Sequence, residues 1–432
     1  MKLLSLTILL TLLAGAANLF AQQTGVTKIL QDAAALIQAG NFVDAEPLLK
    51  KAVAGAPQNA DAHNLLGIAL DQLGKTTEAE REYRTAMRLN PKAVSPRANL
   101  GVLLAKTKRE QEAVKTFEAV LQLNPNHRQT IVNLGFLYSS TADFKRAAQF
   151  LQKANQIQPD DYEILFRLAT ALYQIQKLEE AKGAFTSAKA ISPTAAEPLY
   201  FLGLIAFDQS NLELAAQYFE NALALKPDFA DVNFMLGEIL AKQQRYGEAV
   251  TFYEKAVAQD KTKPVYFVRL GGTYLLSYDT PKAFQYFKEA AERFPEIAEI
   301  KYFFAIAARS LGEYDVAWSE TKKALALKET ADANALLGSL LIDRSNYAEA
   351  EKYLRKAIAL NANHFNSQQD LGRILVKQQR FAEALPVLQR AAALMPNVAD
   401  VHYQLFLTYT RLKRSPEAGK ELELFKQFSD KK

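Results

Sequence analysis

From Val26 onward the chain alternates short apolar stripes with short polar breaks. Between Ala60 and Asn90, Leu65, Leu66, Ala69, Leu70 and Leu73 recur at the three- and four-residue intervals that put side chains on one face of an α-helix. Leu73-Gly74-Lys75 follows, and Gly74 suits the left-handed backbone that commonly ends a helix. A second stripe runs through Ala79, Tyr83, Ala86, Met87 and Leu89. Asn90-Pro91 stops it, because proline cannot continue a helix and pushes its predecessor toward extended backbone. The pattern predicts two short helices joined by a tight turn.

This unit recurs twelve times at a period of 34 residues, with starts near 26, 60, 94, 128, 162, 196, 230, 264, 298, 331, 365 and 399; only the ninth copy is one residue short. Position 8 is small almost throughout: Ala33, Gly67, Gly101, Gly135, Ala169, Gly203, Gly237, Gly271, Ala305, Gly338, Gly372, with Phe406 in the last copy. Position 20 is alanine in every copy, from Ala45 to Ala418. Small residues let helix axes approach, so positions 8 and 20 are expected to face each other inside one hairpin. The large residue at position 24 (Leu49, Tyr83, Phe117, Leu151, Phe185, Phe219, Tyr253, Phe287) is expected to fill the space between one hairpin and the next. A lone hairpin cannot bury both its faces, whereas a stack can.

Leu-Gly at positions 7–8, Ala at 20, an aromatic near 24, Ala at 27 and Pro at 32 resemble the tetratricopeptide repeat, over residues 26–432. The resemblance implies an all-α fold, a right-handed α-solenoid of about twelve helix-turn-helix repeats. It also implies a concave groove, lined by positions 2, 5, 6, 9, 12 and 13 of the first helices, that receives a peptide or partner protein. Copies seven, nine and ten lack the proline at position 32, carrying Lys261, Glu329 and Ala362 there. A bend is expected near residues 328–331. The last copy ends on Lys420, Glu421, Glu423, Lys426 and Gln427, which reads as a polar cap.

On that frame the middle copies carry aromatics toward the groove: Phe166, Tyr200, Phe234 and Tyr302 at position 5, and Tyr173 and Phe207 at position 12. Glu163, Glu197 and Asp231 at position 2 add an acidic edge suited to basic side chains of a ligand. Two roles compete for these rings, repeat packing and contact with a bound segment, since aromatics give large contact area at low entropy cost. Some repeats of this family hold a C-terminal carboxylate with Lys at position 5 and Asn at position 9. Position 5 is never Lys here, so that clamp is absent.

Residues 1–21 differ from the rest. Met1-Lys2, the apolar run Leu3–Leu13 and small residues at Ala14-Gly15-Ala16 and Leu19-Phe20-Ala21 are the layout of a secretory signal peptide, cleaved after Ala16 or Ala21. A short linker, 22–25, would then lead into the array. The apolar run is shorter than the roughly 20 residues that span a bilayer, so no membrane insertion is expected after cleavage. No cysteine exists to carry a lipid anchor, a disulfide or thiol chemistry. The expected location is periplasmic or secreted.

Other chemistry is sparse. Net charge is +5, from 52 basic and 47 acidic residues without a one-sided cluster, which argues against nucleic acid. His63 and His402 fall at position 4, and His127 and His364 at position 34, so register accounts for all four and no metal is expected. Gly74-Lys75-Thr76 lacks the upstream glycine and strand of a phosphate loop. Neither a cofactor nor a catalytic residue is expected. The chain reads as an exported, non-enzymatic interaction scaffold in cell-envelope assembly or secretion. The alternative is a periplasmic part of a polysaccharide export machine.

Overall fold

The computed structural model describes residues 25–429; the proposed signal peptide lies outside the described residues, as does the linker apart from Gly25, which is already helical. Helices come in pairs. The first helices are α1 (25–38), α3 (Ala60–Gln72), α5 (Ser95–Lys106), α7 (Arg128–Ser140), α9 (Tyr162–Gln174) and α11 (Glu197–Asp208). They continue with α13 (Ala230–Lys242), α15 (Pro264–Leu276), α17 (Ala298–Ser310), α19 (Ala331–Asp343), α21 (Phe365–Lys377) and α23 (Ala399–Arg411). Even-numbered second helices lie between them, from α2 (Phe42–Gly55) and α4 (Thr76–Leu89) to α24 (Ser415–Ser429). Among the described residues there is no strand. The fold is an all-α solenoid of hairpin repeats.

Every intra-repeat turn is built the same way. Position 15 is left-handed in all twelve copies, at Gly40, Gly74, Lys108, Ala142, Gln176, Ser210, Gln244, Tyr278, Gly312, Ser345, Gln379 and Lys413. The next N–H then closes back on the carbonyl five residues earlier, as in Lys75 to Leu70, Arg109 to Leu104 and Arg380 to Leu375, each at 2.9 Å. This satisfies carbonyls orphaned at the helix end. Glycine holds only three of the twelve positions.

Inside each hairpin the alanines at position 20 are buried, with no exposed surface in the first eleven copies. The nearest neighbour of the small position 8 is the large side chain at position 24, which the sequence placed only between hairpins. A β-carbon on Gly67, Gly101 or Gly372 would lie 2.6, 2.4 and 2.3 Å from Tyr83, Phe117 and Leu388 respectively. At Gly338 the position-20 backbone is also near, at 3.4 Å from Ala350 O. The other side of the ring reaches the next hairpin: Phe185 stacks on Phe201 at 4.8 Å, and Phe287 on Phe303 at 5.7 Å. Position 24 is therefore the wedge both within and between hairpins.

Two compact units divide the chain, one ending at Tyr218 and the other beginning at Phe219, within the helix Leu212–Leu225. In the first unit α3, α5, α7 and α9 each touch the next first helix; in the second, α15 touches α17, α19 touches α21 and α21 touches α23. No two second helices pack on one another to that extent among the described residues. In each unit the first helices therefore stand on the inner side of the curve. In the shortened ninth copy the missing residue is taken from the connection Lys328–Thr330, where the Thr330 hydroxyl caps α19 by accepting the Ala333 N–H.

Candidate functional site

The sequence singled out first-helix positions, and the structure sorts them. In the first unit Phe166, Tyr173 and Tyr200 converge on Phe201, with ring centroids 5.7, 5.9 and 5.3 Å away. Phe166 also meets Phe185 edge-on and stacks on Tyr162, so its ring is largely spent on packing. The Tyr173 hydroxyl donates to Asp208 at 2.8 Å, and burial together with that carboxylate pushes the phenol well above its usual range. Tyr200 and Phe207 remain half-buried at the inner side. Glu163 is exposed and paired with Arg167, whose guanidinium lies 4.6 Å above the Phe136 ring. Glu197 opens α11 half-buried, near enough to Tyr162 for its charge to help raise that phenol, after burial. A cavity of about 350 Å³ lies beside these residues, lined by Val102, Ala105, Lys106, Phe136, Leu137 and Arg167 among others.

In the second unit Phe234 stacks on Tyr266 at 4.8 Å and leans on Tyr253. Asp231 accepts a hydrogen bond from the Tyr266 hydroxyl at 2.6 Å and pairs with Lys263 at 2.6 Å. The expected acidic edge is thus answered inside the chain at Glu163 and Asp231. Both carboxylates already have cations.

Tyr302 opens onto a feature that the sequence reading passed over. A cavity of about 310 Å³ is lined by α17, α19 and α21 through Tyr302, Ile306, Arg309, Ser310, Asp332, Ala335, Leu336, Ser339, Asn366, Gln369 and Asp370, with His364 at its edge. Apart from His364, these are all positions 2, 5, 6, 9, 12 or 13. Arg309 is held by Asp343 at 3.0 Å. His364 caps α21, its Nδ1 accepting the Ser367 N–H at 3.2 Å, which leaves Nε2 to donate to Asp332 at 3.1 Å. Burial pushes the Asp370 carboxyl above its ordinary value, with Arg373 only 3.9 Å away as a weak counterweight. Burial also pushes the Tyr302 phenol up to about 12. A cavity shared by three helices leaves no mark on the sequence of any one of them.

The larger depression, about 700 Å³ around Tyr274, Lys282, Tyr286 and Glu289, lies over the helix Thr280–Arg293, a second helix. It is shallow and rimmed by solvated charges. The histidines at position 4 play a structural part. His63 Nδ1 meets Glu82 at 2.6 Å and its Nε2 faces Pro57 O at 3.1 Å, and His402 repeats this with Glu421 at 2.6 Å and Pro396 O at 2.7 Å.

Twelve hairpins with a small residue at position 8, a wedge at 24 and inner first helices define a helical-repeat scaffold. Models of the tetratricopeptide repeat match residues 36–100, 95–127, 138–201, 200–264 and 341–403, and the chain belongs to that family. No curated protein matches it in sequence. Among solved structures it is similar to yeast Tom70, at 16% identity over 93% of this chain and 99% of that one, with a TM-score of 0.40. It is also similar to the C-terminal part of a TPR repeat-containing protein from Cytophaga hutchinsonii, at 16% identity, 56% of this chain, 99% of that one and a TM-score of 0.48. A third likeness is to YrrB, described as a TPR protein with an unusual peptide-binding site, at 24% identity over 43% of this chain and 95% of that one, with a TM-score of 0.39. As a tetratricopeptide-repeat array the chain is a protein-interaction scaffold.

Proposed function

We propose that this scaffold is exported, carries no catalytic activity, and holds a peptide or partner protein against the inner face of its first helices during cell-envelope assembly or secretion. The observation that carries the binding face is the pair of cavities, one in each unit, lined mainly by first-helix positions of three successive repeats. Export rests on the composition of residues 1–21. Tyr200 and Phe234 supply half-buried rings on this face and are the anchors proposed for it. The test is affinity capture from cell-envelope extract with the protein, Tyr200→Ala and Phe234→Ala, each variant checked for unchanged helicity. A protein retained by the parent and lost with either variant supports the reading; identical captures remove it. Intact mass of the protein recovered from its host reports whether the chain starts after Ala16 or Ala21. A full-length mass would overturn export by cleavage.

A further inference from the structure

Of everything outside the aromatic rows, the cavity between α17, α19 and α21 holds the most unbalanced chemistry. Its two lining carboxylates differ in how they are neutralised. Asp332 receives one hydrogen bond, from the His364 Nε2–H, and its side chain is 62% exposed. Asp370 has 18% of its side chain exposed, and its nearest cation is Arg373 at 3.9 Å, beyond hydrogen-bonding distance. Arg309, the cation lining the cavity, is already engaged by Asp343. His364 is tied as a helix cap through Nδ1 and offers no second donor to the cavity. The lining therefore carries one positive and two negative groups; Arg309 is bonded to Asp343 and reaches Asp370 only through its field, beside a hydrogen bond from Ser339.

We propose that this cavity receives a lysine or arginine side chain of the bound partner, its cation seated between Asp370 and Asp332 with its stem along Tyr302 and Ile306. The inference rests on the inner face being the partner-binding surface. The fit has three parts. A cation supplies the charge that Asp370 lacks, and pairing inside a partly desolvated cavity is stronger than on open surface. Tyr302 lines the cavity, and an aromatic ring there can attract an ammonium or guanidinium group. Ile306 and Leu336 offer apolar surface to the methylene stem, as long basic side chains require. Burial disfavours the Asp370 charge, and an arriving cation would favour it.

The test uses the whole protein and a probe whose single charge is the side chain: trifluoroacetyl-Gly-Lys-Gly amide, followed by fluorine NMR line broadening, beside its norleucine twin. The lysine probe is expected to broaden and the norleucine probe to stay sharp, with broadening fading as salt rises. Asp370→Asn and Asp332→Asn are each expected to weaken the lysine probe by about tenfold or more. Equal broadening of the two probes, or no change in Asp370→Asn, would overturn the proposal. So would displacement of the lysine probe by spermidine at equal charge concentration with much higher affinity, which would make free polyamine the occupant. Failure of the inner-face reading shows elsewhere, in partner capture that ignores Tyr200→Ala and Phe234→Ala.

Discussion

A β-carbon on Gly271 would stand 2.4 Å from Cζ of Phe287, whereas one on Gly272, the next residue of α15, would meet nothing within 4 Å. One residue of register separates a glycine that makes room from a glycine that merely costs backbone entropy. Phe287 is fully buried and cannot step aside. Gly271→Ala is expected to destabilise by about 1–3 kcal/mol through overpacking. Gly272→Ala is expected to stabilise by up to about 1 kcal/mol, since helix-interior glycine is disfavoured by that amount. Urea unfolding midpoints of the two neighbouring variants, moving in opposite directions, would establish the wedge; shifts of the same sign would refute it.

The nine left-handed positions without glycine carry a backbone cost. Tyr278 is the clearest, with φ of 62° and 92% of its surface exposed, so its ring contributes little packing. Tyr278→Gly is expected to raise stability by roughly 0.5–1 kcal/mol, the left-handed penalty less the entropy glycine adds to the unfolded chain. A lowered thermal midpoint would show instead that the ring packs in solution.

His63 and Glu82 form a buried pair that His402 and Glu421 repeat ten copies later. Removing His63 leaves the buried Glu82 carboxylate with only the exposed Arg81 at 3.2 Å. His63→Leu is expected to cost about 3 kcal/mol or more, and His63→Leu with Glu82→Leu clearly less than the sum of the singles. Additive losses in that double-mutant cycle would mean that the two side chains are not coupled.

Two carboxylates give opposite pH signatures. Arg380 and, after burial, Arg355 hold Glu351 below the ordinary glutamate value of 4.5. A lowered folded value means stability that is present above the unfolded value and lost as pH falls through the folded one. The stability gap between the parent and Glu351→Gln is therefore expected to close on acidification below about pH 4.5. Asp370 is raised above its ordinary 3.8 by burial, so its contribution is present at low pH and lost as pH rises through the folded value. Asp370→Asn is expected to be more stable than the parent at neutral pH, with the difference shrinking toward pH 4. Urea midpoints across that range check both signs, and an Asp370→Asn variant weaker than the parent at pH 7 would contradict the second.

Ionic staples on the second-helix side join consecutive repeats: Lys75 meets Glu46, Arg109 meets Glu80 and Arg380 meets Glu351, all at 2.6–2.8 Å. Each links position 16 of one copy to position 21 of the copy before. Arg109→Ala is expected to cost no more than about 1 kcal/mol, because half-exposed pairs are screened. A larger loss, persisting in 1 M salt, would point to packing by the arginine stem.

The sequence by itself determined the hairpin, its period, the buried alanines at position 20 and the stop at each proline, because these follow from helical spacing and steric size within one 34-residue unit. It also picked Tyr200, Phe234 and Tyr302 as inner-face rings. It did not show that the position-24 side chain also packs against position 8 of its own hairpin, since which residue fills a gap depends on the crossing of two helices and not on spacing along either. Nine of the twelve left-handed turns were hidden because Lys, Gln, Ser, Ala and Tyr carry no turn signal; the closing N–H bond of the helix end holds them there. Only the tertiary structure decided that Asp231 already has a cation in Lys263, and that Asp370 lies in a cavity with Tyr302 with no cation closer than 3.9 Å. The Asp231–Lys263 pair and the enclosed volume join residues about 30 to 70 positions apart in sequence, brought together by stacking, and no single repeat contains them.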